Sequence, residues 1–173
     1  MSKSKGNVVD PFDALAKYGA DAIRWYFYNS SAPWLPKRFS EEAVLEGRSK
    51  FMSTLWNSYA FYTLYAEIDQ FNPADYMTNG KWEPKDLPVM DRWLLSKLNT
   101  LILTVDKALD EYHVTEASRA LAAFVEELSN WYVRRCRERY WAPGMEQDKI
   151  NAYMTLFEAL RTVSLLSAPM SRS

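Results

Sequence analysis

From Ser40 to about Phe71 the apolar residues Val44, Phe51, Met52, Leu55, Tyr59, Tyr62 and Ala66 follow one another at three- and four-residue steps. That spacing lines side chains along one face of an α-helix, whereas strand side chains alternate at every residue. Trp56, Phe61, Leu64 and Ile68 widen the stripe, which predicts a helix at the centre of the fold. Ser40 carries the short hydroxyl that caps a helix start, and Glu41 and Glu42 come next, where the helix dipole favours negative charge. The same period returns in three later stretches. Met90, Leu94, Leu98, Leu101, Val105 and Tyr112 predict a helix over about 89–112. Ala117, Leu121, Phe124, Val125, Leu128 and Tyr132 predict one from Thr115, its cap, to about Trp141. Tyr153, Leu156, Phe157, Leu160 and Val163 predict a last one over about 147–167. Strand-like alternation and internal repeats are absent from the sequence, so the expected fold class is all-α, a helical bundle.

Punctuation between these runs is clear. Asp10-Pro11 starts a short helix, with Asp10 as cap and proline at the first helical position; Gly19 ends it, and 20–30 forms a second. Ser31-Ala32-Pro33-Trp34-Leu35-Pro36 breaks the second helix, since proline removes a donor and holds its predecessor extended. Residues 72–88 hold Asn72-Pro73, Asn79-Gly80 and two further prolines, and read as a long connector. Ala142-Pro143-Gly144 closes the helix that ends at Trp141.

With 173 residues, 48% of them hydrophobic, the chain can bury the core of one compact domain. Seven tryptophans and eleven tyrosines suit a surface that packs against something large. A single cysteine excludes an internal disulfide, and no Cys/His cluster has the spacing of a zinc site, so no metal is expected. Apolar runs fall short of the roughly 20 residues that span a bilayer, and no signal-peptide core opens the chain. A cytoplasmic protein without membrane contact is the expectation. The net charge is −1, so any nucleic-acid role must come from a local patch.

Two patches qualify. Within 130–141, Arg134, Arg135, Arg137 and Arg139 stand against Glu138 alone, a local charge of about +3 beside Trp131, Tyr140 and Trp141. Guanidinium groups fork onto phosphates or stack on bases, and indole rings offer stacking surfaces. On helical spacing Arg135 and Arg139 continue the apolar line of Tyr132, so Arg135 could instead pair with a buried carboxylate. Arg134 and Arg137 point to other faces. The second patch is Ser2-Lys3-Ser4-Lys5-Gly6, where lysine heads, small hydroxyls and a flexible glycine suit polyphosphate.

Other candidates are weaker. His113, the only histidine, sits at a helix break as a surface or capping residue. Cys136 lies among arginines, which would lower its thiol pKa, although burial on the helix flank fits it better than catalysis. Lys37 and Arg38 could touch RNA, or their segment could be a rigid bridge whose aromatics plug the core. Glu126 and Glu127 read as a solvated face, and no carboxylate pair fits acid–base work.

Met1 to Asn7 resemble the end of the Lys-Met-Ser-Lys-Ser signature of class I aminoacyl-tRNA synthetases. Asp10 to Tyr26, including Tyr18-Gly19-Ala20-Asp21-Ala22-Ile23-Arg24, resemble the segment after that signature. The likeness covers essentially the whole chain. Pro36 to Glu42, Leu55-Trp56-Asn57 and Asn130 to Trp141 are similar to the isoleucyl branch more than to the valyl or leucyl ones, while Cys136 and Glu138 depart from its pattern. The resemblance implies an anticodon-binding helical bundle over 40–173, connecting helices over 10–39 and the end of the catalytic signature loop over 1–9. It implies ATP binding at Ser2, Lys3 and Ser4, with Lys3 stabilising the charge that develops on phosphate during adenylation. It implies tRNA binding at Trp131, Arg134, Arg135, Arg137, Arg139 and Trp141. The partners expected are an isoleucine-specific tRNA and the catalytic and editing domains of the same polypeptide, which lie outside this sequence. ATP and Mg²⁺ belong to the whole ligase; this segment, which looks cut from it, is expected to hold no cofactor and to be inactive alone. The same domain from a valyl- or leucyl-tRNA synthetase, a free tRNA-binding module and a protein-interaction bundle with structural arginines are the alternatives.

Overall fold

The computed structural model describes residues 9–171. Among these, helix α1 (Pro11–Tyr18) starts where Asp10 accepts a hydrogen bond from the Phe12 N–H at 2.8 Å, and stops at Gly19, whose φ of +83° suits glycine. Helix α2 (Ala20–Asn29) comes directly after it. Ser40 caps α3 (Glu41–Gly47) through its hydroxyl, which accepts from the Ala43 N–H at 3.3 Å. The predicted long helix continues through a π-helical turn (Arg48–Ser53) into α4 (Thr54–Ile68). The hydroxyls of Ser53 and Thr54 donate to carbonyls five residues back, those of Arg48 and Ser49, both at 3.3 Å. That matches the wider π turn, where the bonding reaches one residue further than in an α-helix.

The 72–88 connector holds one 3₁₀ turn (Pro73–Tyr76) and an isolated bridge between Thr78 and Lys81, and among the described residues there is no strand. Helix α5 (Val89–Asp110) and α6 (Val114–Glu127) form the next antiparallel pair. A second π turn (Leu128–Val133) joins α6 to α7 (Arg134–Trp141), and α8 (Gln147–Ser167) completes the bundle. No described helix is long and apolar enough to cross a membrane.

Three local expectations change. Tyr112, placed on the buried face of α5, lies past its end at φ +60° and is 82% exposed. Thr115 is not the cap of α6, which starts at Val114; its hydroxyl instead donates to the Ser31 carbonyl at 3.1 Å and pins the proline-rich connector. On α4 the apolar stripe is only half buried. Tyr62, like Phe51 in the π turn before it, is in the core, but Trp56, Tyr59, Leu64 and Ile68 are exposed.

The main core is built from α4 to α8 together with Trp25 of α2. A smaller one gathers Ala14, Tyr18, Ala22, Tyr26 and Val44, with Phe39 packed against it. Two arginines tie the N-terminal helices to the bundle by capping carbonyls that helix ends leave unpaired. Arg24 donates to the carbonyls of Pro169 and Met170, and Arg119 to those of Asn29 and Ser30. The end of α4 is fixed to α8 by Asp69, which pairs with the buried Lys149 at 2.7 Å and accepts from the Tyr153 hydroxyl.

Candidate nucleic-acid interface

The arginine-rich helix owes its orientation to the π turn before it. Along α6 and α7 the buried line runs Leu128, Tyr132, Cys136 and Tyr140, four residues apart at each step. In an α-helix such a line drifts by about 40° per step, because a turn takes 3.6 residues. The wider π turn over Leu128–Val133 cancels part of that drift and keeps the line aimed at the core. Arg135 therefore leaves the apolar line on which its spacing had placed it. It is exposed, with its guanidinium stacked 4.2 Å from the centroid of the Trp131 ring. The residue that pairs with a buried carboxylate is Arg139.

That carboxylate is Asp91, in the first turn of α5 and fully buried. It accepts two bonds from Arg139, at 2.6 and 2.8 Å, and one from the Tyr132 hydroxyl at 2.7 Å. The remaining Arg139 donors go to the Asp148 carboxylate and backbone carbonyl, both at 2.9 Å, and weakly to the Cys136 sulfur at 3.8 Å. All five of its N–H groups are thus engaged inside the fold. Burial works against the charge on Arg139, but the bonds from Asp91 and Asp148 outweigh it and hold the group above its ordinary pKa. Beside it, Tyr140 is also buried, and its hydroxyl donates to the Ala152 carbonyl at 2.8 Å.

What faces solvent is a different set. Trp131, Arg134, Arg135, Arg137 and Trp141 are all exposed. Among the described residues, Arg134, Arg135 and Arg137 have no carboxylate within ion-pair distance. Three such guanidinium groups between two half-exposed indoles make a surface that phosphate and base can both use. Trp141 is held by a hydrogen bond from its Nε1 to the Tyr65 hydroxyl at 2.7 Å, so its ring is fixed in place while about half of it stays open to solvent. Asp91, Asp148 and Tyr65 are missed by sequence reasoning. An aspartate in the first turn of a helix looks like a dipole partner, and nothing in its neighbours reveals an arginine 48 residues away.

Cys136 departs from the expectation in one respect. Burial raises its thiol pKa, and the nearby Arg139 offsets this only in part. Iodoacetamide should therefore label Cys136 in denaturant and hardly at all in the folded chain, at least a hundredfold more slowly by order of magnitude. Mass spectrometry over a pH 7–9 series checks this; rapid native labelling would place the thiol at the surface.

The remaining candidates fall away from this face. His113 is exposed, 3.5 Å from Glu111 and 3.7 Å from Glu116. Lys37 donates to the Phe27 carbonyl, and burial lowers its pKa. Of the aromatics in its segment, Phe39 packs inward, but Trp34 is 72% exposed and plugs nothing. Glu127 pairs with Lys97 at 3.0 Å. Among the described residues no group of three or more His, Cys, Asp or Glu could hold a metal ion. Ser2, Lys3 and Ser4 lie outside the described residues.

Two family models match the chain. Residues 91–171 match the anticodon-binding domain of tRNA ligase, and residues 1–34 match the class I tRNA synthetases for I, L, M and V. The first begins at Asp91, so the buried clamp and the arginine face both fall inside it. Isoleucine–tRNA ligase of Clostridium novyi is 59% identical over 98% of the chain, and that of Clostridium tetani 58% over 98%. The corresponding ligase of Dehalococcoides mccartyi is 48% identical over 99%. The chain spans 16% of the length of each of these curated relatives. Among solved structures, Mycobacterium tuberculosis methionyl-tRNA synthetase with methionyl-adenylate superposes with a TM-score of 0.70 at 22% identity, over 99% of this chain and 33% of that one. The Agrobacterium radiobacter K84 LeuRS-tRNA-LeuAMS ternary complex gives 0.68 at 21%, over 99% of this chain and 19% of that one. At such identities these two structures establish the fold alone. The sequence relatives and both family models agree: residues 91–171 match the anticodon-binding domain of tRNA ligases, residues 1–34 match the class I synthetases, and nearly the whole chain is similar to a stretch of isoleucine–tRNA ligases.

Proposed function

We propose that this segment holds the anticodon arm of an isoleucine-accepting tRNA for a ligase that activates isoleucine with ATP in the cytoplasm. The observation that carries the reading is the face of Trp131, Arg134, Arg135, Arg137 and Trp141, exposed and, among the described residues, without a carboxylate in ion-pair reach of its arginines, inside a stretch that matches an anticodon-binding domain. Arginines would take phosphates and the two indoles would stack on unpaired bases. Arg139, with every donor engaged, supports that face from inside. In the whole ligase, Lys3 with Ser2 and Ser4 would hold the phosphates of ATP and its Mg²⁺ complex, and residues 10–39 would connect that signature loop to the bundle over 40–173. The segment alone would bind RNA without charging it.

Titration of the chain with an isoleucine-accepting tRNA and an unrelated tRNA, across salt concentrations, tests this. Binding should be tighter for the isoleucine tRNA and should weaken steeply with salt. Arg134→Ala and Arg137→Ala should each weaken binding and flatten the plot of log K against log salt by about one unit. Equal affinity for both RNAs, or unchanged slopes in both variants, would return the arginines to a solvated surface and leave a protein-interaction bundle.

A further inference from the structure

We propose that the buried cluster of Asp91, Arg139 and Tyr132 is a positioning device, which sets the rotation of α7 about its own axis and so decides which arginines face RNA. The inference rests on the tRNA-binding reading for its consequence, though not for its geometry. Helix α7 is short, eight residues, and comes directly after a π turn, where backbone bonding is looser than in an α-helix. The π turn gives the helix its general direction, and the side chains around the junction fix its exact rotation. Rotating it by one residue, about 100°, would carry Arg135 towards the core and Cys136 out of it.

Packing of the buried Cys136 and Tyr140, the latter edge-on to Phe61 and Tyr153, opposes this, and directional bonding adds a sharper constraint. Arg139 is gripped on three sides: by both oxygens of Asp91 from the first turn of α5, by Asp148 from the first turn of α8, and by the Cys136 sulfur of α7 itself. Tyr132, in the π turn just before α7, bonds to one of the same Asp91 oxygens at 2.7 Å. Two residues flanking the π-to-α junction thus read one fixed carboxylate. A buried ion pair is a weak source of net stability, and apolar residues of equal volume often do as well. A planar fork on a buried carboxylate supplies what an apolar contact lacks, a single allowed rotation. The stacked pair Arg135–Trp131 lies on the exposed side of the same junction and inherits that setting.

Tyr132→Phe is the mild variant, since it keeps the buried ring and removes only the hydroxyl. Arg139→Lys keeps the charge but cannot make the fork. In the 173-residue chain, held well below each variant's unfolding midpoint, both should weaken binding of the isoleucine-accepting tRNA by about fivefold or more. Adding Arg135→Ala to either should cost less than the sum of the single losses, because the two changes act on one contact surface. The indole N–H resonances of Trp131 and Trp141, followed by NMR without RNA, should shift in both variants. A lowered unfolding midpoint with unmoved indole signals and unchanged Kd would overturn the proposal, and so would strict additivity with Arg135→Ala. The RNA-free measurement keeps the two readings apart. Should the unmodified chain bind no tRNA, the functional reading falls, while shifted indole signals would still support the clamp and unmoved ones would sink it.

Discussion

Arg139→Ala is expected to destabilise the folded chain by about 3–5 kcal/mol, the usual cost of stranding one member of a buried ion pair. Asp91 has no exposure to solvent, so the carboxylate left behind cannot rehydrate without opening the start of α5. Tyr132 would still donate to it, but the two charged donors of Arg139 would be gone, and hydrogen bonds to a charge are worth about 1.5–3 kcal/mol each. The loss should appear as a lower urea midpoint with little change in slope. A companion variant separates the cause. Replacing both partners, Asp91→Leu with Arg139→Met, should recover most of the loss, because no buried charge remains to be satisfied. If the double variant were as unstable as Arg139→Ala, the damage would come from lost shape, and the stranded-charge account would be wrong.

Helix existence, most helix ends and the bundle class were legible in the chain, because each rests on local chemistry. Asp10, Ser40 and Gly19 sit where their side chains, or the lack of one, predict, and α8 spans the residues its apolar period marks out. The errors have a shared physical source. Spacing arguments assume a constant 100° per residue, and two π turns break that assumption at the places that matter. One of them takes Arg135 off the apolar line that it was expected to share with Arg139. Along α4, apolar residues on more than one face could not be told apart by period alone, and the exposed Trp56 and Ile68 are the result. On the arginine-rich face the basic and aromatic composition was readable, while its support was not. Asp91, Tyr65 and Asp148 reach the arginine helix from other elements, and such contacts leave no trace in local sequence. The resemblance to class I synthetases rests on motifs rather than on helical spacing, so these errors leave it untouched, and the sequence relatives bear it out.

The other large effect is expected at the junction between the N-terminal helices and the bundle. Trp25→Ala should cost about 3–5 kcal/mol, the range for truncating a large buried aromatic. Trp25 is fully buried and stacks on Phe51 of the first π turn, with ring centroids 3.7 Å apart and planes within 3°. Gly47 also lies against the ring; a Cβ there would sit 3.0 Å from the indole Cδ1, so glycine at that position makes room for it. Removing the indole therefore leaves a void bounded by three elements that cannot all collapse into it. Its Nε1 has no hydrogen-bond partner among the described residues, so the polar group itself contributes nothing to hold α2. Trp25→Phe should consequently cost much less, under about 1.5 kcal/mol, because the stack survives in part and an unsatisfied donor disappears. Hydrogen exchange gives the sharper readout. In Trp25→Ala the amides of α2 should lose protection before those of α5 and α8, since Trp25 is the α2 side chain buried in the main core. Uniform loss of protection across all helices would show that the N-terminal pair and the bundle unfold as one unit.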